Sequence, residues 1–176
     1  MIVMEPVKGG NLVKLPDEAK KILDDLHGGS PASYAIRFAA GFDGIFMVLS
    51  GMSNEEQMRD NISCMKGFSS LDEKERLALS RAQEEIKKVP LIPCTTCNYC
   101  AKVCPQNIGI SGTFTADNYF TLYGNRDMAL SQADWLVDRH GRQRADKCVG
   151  CGNCEKVCPQ HIEIRKELKK SVKELY

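Results

Sequence analysis

The chain is 176 residues long, 43% apolar and 27% charged. That is the make-up of a folded globular protein with room for one large or two small domains, and it excludes disorder. Lys and Arg number 24 against 23 Asp and Glu, so a formal charge of +1 gives no electrostatic reason to expect nucleic acid or an acidic membrane as partner. The longest apolar run, residues 44–49, falls far short of the ~18 residues of a membrane span, and no secretion signal opens the sequence. A cytosolic protein is expected.

Residues 1–89 read as strands alternating with helices. Ile2 to Met4 is a short apolar run ended by Pro6 and the Gly9-Gly10 pair, the pattern of a strand entering a glycine-rich loop. Pro16 opens a helix that Gly28-Gly29 closes, and Ser30-Pro31 caps a second helix that ends at Gly41. Gly44 to Leu49 is continuously apolar, as a strand buried on both faces would be. Ser53 with Glu56, and Ser70 with Glu73, have capping-box spacing for two further helices, the first running to about Met65 and the second stopping before Pro90. Two parallel strands do not make a stable sheet alone, so this half is expected to be part of something larger. Exposed apolar surface, and hence self-association, is expected of the chain by itself, and Met1 directly before a strand leaves its natural start open.

Residues 90–176 are different in kind. Asn125 to Arg139 predicts an amphipathic helix with Met128, Leu130, Trp135, Leu136 and Val137 as its apolar set, and Ile162 to Tyr176 predicts a Lys/Glu-rich closing helix. The dominant feature is an internal repeat. Cys94-Thr-Thr-Cys97-Asn-Tyr-Cys100-Ala-Lys-Val-Cys104-Pro-Gln matches Cys148-Val-Gly-Cys151-Gly-Asn-Cys154-Glu-Lys-Val-Cys158-Pro-Gln, and the likeness runs on to Ile110 and Ile164.

Nine cysteines in a reducing compartment point to metal ligation rather than disulfides. A cubane cluster needs four converging thiolates. C-x-x-C-x-x-C supplies three from one wrapped loop, and the following C-P supplies the fourth to the other cluster. The expected sets are Cys94, Cys97, Cys100 and Cys158 for one [4Fe–4S] cluster, and Cys148, Cys151, Cys154 and Cys104 for the other. Zinc sites draw on separated C-x-x-C pairs and fit this spacing poorly. Gly150 and Gly152 allow backbone N–H groups close to the sulfurs, and Lys102, Lys147 and Lys156 lie near enough in sequence to offset cluster charge. Cys64, among Ile62, Met65 and Phe68, reads as a small buried apolar residue. The 43 residues separating Cys104 from Cys148 exceed what a compact bacterial ferredoxin needs and favour an α-helical ferredoxin arrangement.

Taken together, the stretches Val3–Leu12, Ser30–Phe38 and Val48–Asn61, followed by the two cysteine motifs, resemble the C-terminal portion of an iron–sulfur-containing subgroup of the aldo/keto reductase superfamily. The resemblance implies an α/β partial TIM barrel, its last two β/α units, over residues 1–89, and a mainly α-helical dicluster ferredoxin-like domain over residues 90–176. It implies the remaining barrel strands as partner, in the same longer chain or another, beside an unknown redox partner. It also implies NADP(H) in the complete barrel, with Ser53, Gln57 and Asn61 at the cofactor's adenine end. The family's catalytic Asp, Tyr, Lys and His come from strands this sequence does not contain, and Met4 stands where the family often stacks a Tyr on the nicotinamide. No catalytic set is expected, with His27, His140, His161 and Tyr34 considered and set aside. The expected function is electron transfer as a module of an oxidoreductase, with structural clusters that staple a docking domain as the alternative.

Overall fold

A computed structural model describes residues 1–135 and 139–176 with their side chains. The chain divides into two units at Val89 and Pro90, each with its own core.

In the first unit, β1 (Ile2–Met4) pairs in parallel with β2 (Met47–Leu49), Val3 facing Val48. Between them lie a 3-10 turn over Asn11–Val13, α1 (Asp17–Asp24) and α2 (Pro31–Ala40). After them come α3 (Glu55–Lys66) and α4 (Glu73–Lys87). Ser30 caps α2 as expected, its Oγ accepting the Ser33 N–H at 3.0 Å, with Pro31 in the first turn. The other two caps fall elsewhere. Asn54, not Ser53, caps α3, because it is an equally good acceptor one residue nearer the helix and takes the Gln57 N–H at 2.9 Å. The capping box of α4 is Asp72 with Glu75, which exchange bonds of 2.7 and 2.9 Å.

The expected partial TIM barrel is corrected by this unit. Among the described residues there is one sheet of two three-residue strands, and the chain is mostly helical. Gly44, Ile45 and Phe46, expected to be strand, form a turn and its exit. A barrel strand is paired on both edges and covered on both faces. Here each strand has one neighbour, and Ile2, Met4, Met47 and Leu49 stay exposed. The core instead sits between helices, where Ala19 and Leu23 of α1 meet Tyr34 of α2, Ala82 of α4 and Leu71 just before α4. A bidentate pair closes it: Arg37 Nη1 and Nη2 donate to Glu75 Oε1 and Oε2 at 2.6 and 2.8 Å.

The second unit is helical. It contains the short α5 (Tyr99–Lys102), then α6 (Ile110–Tyr123) and α7 (Arg126–His140). A 3-10 turn (Ala145–Lys147), the short α8 (Asn153–Lys156) and α9 (Ile164–Leu175) complete it. On α7 the expected apolar set is corrected in part: Leu130 packs against the core, but Met128 and Trp135 are exposed, and it is Ala129 and Ala133 that are buried, with Ala116 and Leu175. Small residues let α6 and α9 approach that face closely. Leu136 and Val137 lie outside the described residues. No helix among the described residues is long and apolar enough to cross a membrane.

Candidate metal centre

The sequence repeat is a repeat of backbone geometry. Thr96 and Asn98 have φ of 56° and 63°, and their counterparts Gly150 and Gly152 have 70° and 76°. Asn107 and His161 match at 52° and 51°. The hydrogen bonds match as well. Asn107 N–H donates to Cys104 O and His161 N–H to Cys158 O, both at 3.1 Å, while Ile110 and Ile164 N–H reach back two residues at 2.9 and 2.8 Å. Each cysteine loop thus winds through left-handed positions, makes one helical turn (α5 or α8), and turns again into a long helix (α6 or α9). The second copy spends glycine on both left-handed positions; the first accepts the strain of Thr and Asn there. Asn98 is held by its own contacts, Nδ2 donating to Thr96 O at 3.0 Å and Oδ1 accepting from Ser111 Oγ at 2.5 Å.

Two small cavities result, equal in size at about 20 Å3 each. Cys94, Cys97 and Cys100 line the first, together with Cys158 from the other repeat. Cys148, Cys151 and Cys154 line the second, together with Cys104. The burial of the thiols is also twinned: first and fourth half-buried, second exposed, third buried. Among the described residues no three His, Cys, Asp or Glu side chains converge as they would on a single ion.

Between and beneath the cavities lies the core of this unit. Ile108, Ile110, Phe114, Ile162, Ile164 and Leu168 are all buried there with Cys100 and Cys154. Burial pushes the Cys100 thiol up to about 11, with the Cys94 thiol next in effect, and raises Cys94 and Cys154 as well. Without a metal these thiols keep their protons, so ligation must release them. Backbone donors turn toward sulfur, Thr96 N–H lying 3.5 Å from Cys94 Sγ.

Three residues that sequence reasoning missed complete the site. Asn118 on α6 grips the backbone of Ile92, its Oδ1 accepting the N–H and its Nδ2 donating to the carbonyl, both at 2.8 Å, which fixes the approach to Cys94. Ser111 and Arg165 stand at equivalent positions of the repeat and line the first and second cavity respectively. Extending the repeat by one residue past Ile110 and Ile164 would have found this unlike pair. Arg165 lies near Gly152, where its guanidinium carbon is 3.6 Å from the place a Cβ would take, and it pairs with Glu155 at 2.8 Å. That pairing holds the Glu155 carboxyl below its ordinary range.

The lysines expected to offset charge are placed differently. Lys102 lies over the Tyr99 ring at 5.7 Å, Lys147 pairs with Asp146 at 3.1 Å, and Lys156 is exposed. Cys64 is half-buried on α3 and its thiol donates to Asn61 O at 3.2 Å, while Ile62, Met65 and Phe68 around it are exposed rather than core. Tyr34 is buried, with its hydroxyl accepting the Gly28 N–H at 3.1 Å. His140 stacks edge-on to Trp135, and His27 and His161 occupy left-handed turns.

Ser53, Gln57 and Asn61 do come together, on the wall of an open groove of about 730 Å3 in the first unit. Their polar groups are engaged locally. Gln57 Oε1 accepts the Ser53 N–H at 2.7 Å, and Asn61 Nδ2 donates to Ser50 Oγ at 3.1 Å.

Residues 93–163 match the family model described as the 4Fe-4S dicluster domain. The match supports an iron–sulfur domain of ferredoxin type over this stretch. No curated protein and no solved structure matches the chain.

Proposed function

We propose that the chain transfers electrons through two [4Fe–4S] clusters, one held by Cys94, Cys97, Cys100 and Cys158, the other by Cys148, Cys151, Cys154 and Cys104. The observation that carries this reading is the pair of matched cavities in one core, each lined by three thiols of one repeat and the C-P thiol of the other. A cluster bound there supplies reversible one-electron chemistry. The chain's own residues set access and charge: Cys97 and Cys151 reach the surface, Thr96 donates its N–H to sulfur, and Arg165 brings a cation to the second cavity alone.

The wider setting we propose is an oxidoreductase related to the aldo/keto reductases, in which residues 90–176 form the electron-transfer module. The likeness of Val3–Leu12, Ser30–Phe38 and Val48–Asn61 supports it. The groove lined by Ser53, Gln57 and Asn61 is then the place for the adenine end of NADP(H). A second reading, structural clusters without turnover, is favoured by the burial of Cys100 and Cys154 inside the apolar core.

Anaerobically purified protein separates these readings. Electron transfer requires about eight iron and eight sulfide per chain and EPR signals that appear on reduction and vanish on reoxidation. Clusters that are present but silent to reductant would establish the structural role, and zinc without sulfide would end both.

A further inference from the structure

The electrostatics of the two cavities differ outside as well as inside. Residues 90–176 contain twelve Lys and Arg against nine Asp and Glu, whereas residues 1–89 contain twelve against fourteen. The excess is concentrated on α9, where Arg165, Lys166, Lys169, Lys170 and Lys173 face a single acidic residue, Glu167, within nine positions. Arg165, Lys169 and Lys173 follow at four-residue spacing and so form one stripe along the helix. Glu167 falls on the other flank, about 120° or more around the axis from Lys169 and Lys173, whereas Glu174, paired with Lys170, lines the same groove as the stripe.

Arg165, Lys166 and Lys170 are occupied by Glu155, Glu163 and Glu174. Lys169 and Lys173 have no acidic partner among the described residues. They line an open groove of about 920 Å3 whose wall also includes Cys148 and Gly150 of the second cysteine loop, and whose carboxylates, Asp146, Glu155, Glu163 and Glu174, are each paired with a Lys or Arg. That loop is at the surface, with Val149 62% exposed and Cys151 exposed. The groove beside the first loop has no such charge: Thr96, Ser111, Gly112, Thr115, Ser131 and Trp135 line it with Gln132. Unpaired cations and the exposed edge of the second cysteine loop therefore share one groove.

We propose that this groove is a docking surface for an acidic one-electron carrier protein, which exchanges electrons with the cluster held by Cys104, Cys148, Cys151 and Cys154. The inference rests on the electron-transfer reading above. Charge complementarity identifies the partner, since a lysine stripe steers an acidic surface and raises its encounter rate by ~10- to 1,000-fold at low salt. In the forward step the reduced carrier loses one electron and the cluster passes from its 2+ to its 1+ state. With a flavodoxin as donor, the anionic hydroquinone becomes the neutral semiquinone, and no bond or proton changes hands.

The experiment uses the full chain with its clusters and an acidic flavodoxin as probe. Reduction by flavodoxin hydroquinone is followed by stopped flow at increasing ionic strength, for the wild type and for Lys169→Glu/Lys173→Glu. Binding of oxidised flavodoxin, which involves no turnover, is measured in parallel by calorimetry. The expected results are a wild-type rate that falls roughly tenfold or more as salt shortens the screening length toward ~3 Å, a double variant at least tenfold slower at low salt, and weaker binding of oxidised flavodoxin to that variant. Photoreduction by a small neutral deazaflavin should be the same for both proteins, and Lys169→Gln/Lys173→Gln should fall between them.

Equal flavodoxin rates and affinities in wild type and variant would overturn the docking proposal. So would binding of the stripe to anionic lipid vesicles or an RNA oligonucleotide with no binding of flavodoxin. Failure of deazaflavin to reduce the clusters would instead overturn the electron-transfer reading itself.

Discussion

Each cavity draws its fourth thiol from the other repeat, and that crossing can be tested by pairing substitutions. Replacing Cys97 and Cys158 by Ala removes two thiols from one cavity and leaves all four of the other. Replacing Cys97 and Cys104 removes one from each. The two proteins have the same number of cysteines, yet the structure gives them different outcomes. The first should retain one intact cluster, about four iron and four sulfide per chain. The second leaves three thiols in each cavity, so one iron of each cluster lacks a protein thiolate, and the iron content should fall toward zero under mild chelation. Cys151→Ala/Cys104→Ala should behave like the first. Iron and sulfide analysis after anaerobic gel filtration reads the count. EPR of the reduced proteins adds an independent signature: the spectrum of two interacting spins in the wild type should become that of an isolated spin in the four-iron variants. The reasoning is refuted if Cys97→Ala/Cys104→Ala keeps four iron while Cys97→Ala/Cys158→Ala loses all eight. That pattern would mean each motif holds its own cluster.

Four further outcomes follow from particular contacts. Arg165→Ser should make the second cluster harder to reduce, because a cation beside the cavity favours the more negative reduced state, and Ser111→Arg should ease reduction of the first; EPR-monitored redox titration checks both, and unmoved midpoints would remove Arg165 from the site. Phe114→Ala, in a side chain 1% exposed beside the first cavity, should cost about 3–5 kcal/mol and speed iron loss under chelator, measured by denaturation and by the decay of visible absorbance. In the first unit, both Arg37 and Glu75 are 12% exposed, so Glu75→Ala should destabilise by about 3 kcal/mol in urea, without change in iron content, by stranding the guanidinium. Burial, followed by a hydrogen bond and the charge of Asp117, holds the Glu174 carboxyl above its ordinary pKa. The folded chain then binds more protons than the unfolded one as pH rises through that window, so this group's stabilising contribution, complete below the ordinary carboxyl pKa, is lost with rising pH. Glu174→Gln should therefore gain melting temperature over the wild type at neutral pH but not below pH 4, and parallel melting curves across that range would show the reasoning wrong.

The cysteine loops were legible because their information is local and covalent. Spacing fixed which thiols share a loop, and the duplicated Pro-Gln-x-Ile after each fourth cysteine anticipated the turn into α6 and α9 that the hydrogen bonds repeat. The cap of α2 was legible for the same reason, since Ser30 and Pro31 act within one turn. What escaped was set by neighbours distant in sequence. The run Gly44–Leu49 has strand composition, but a strand extends only as far as it finds a partner, and β1 offers three residues. Periodicity made Trp135 and Met128 core residues of α7; contact with α6 and α9 buried Ala129 and Ala133 instead. Asn118 carried no signal at all, because its role exists only once α6 lies against Ile92.

The proposed cross-ligation and the core packing act on the same few positions, and this would join folding to metal binding. Ile110 and Ile164 begin the two long helices and each lines a cavity, while Leu168, one turn on, lines the second and packs in the common core. Helix α9 therefore cannot leave without opening both cavities: its first residue supports the first, and Arg165 and Leu168 the second. Conversely, a thiol lost from either motif frees the end of the other repeat, since Cys104 leads into α6 and Cys158 into α9. Losing one set of thiols therefore loosens the lining of the other cavity while leaving its own four thiols in place, so the retained cluster should be more easily stripped than in the wild type. Cys97 and Cys151 are the thiols open to solvent, and Cys100 and Cys154 the ones whose loss would reach the core directly.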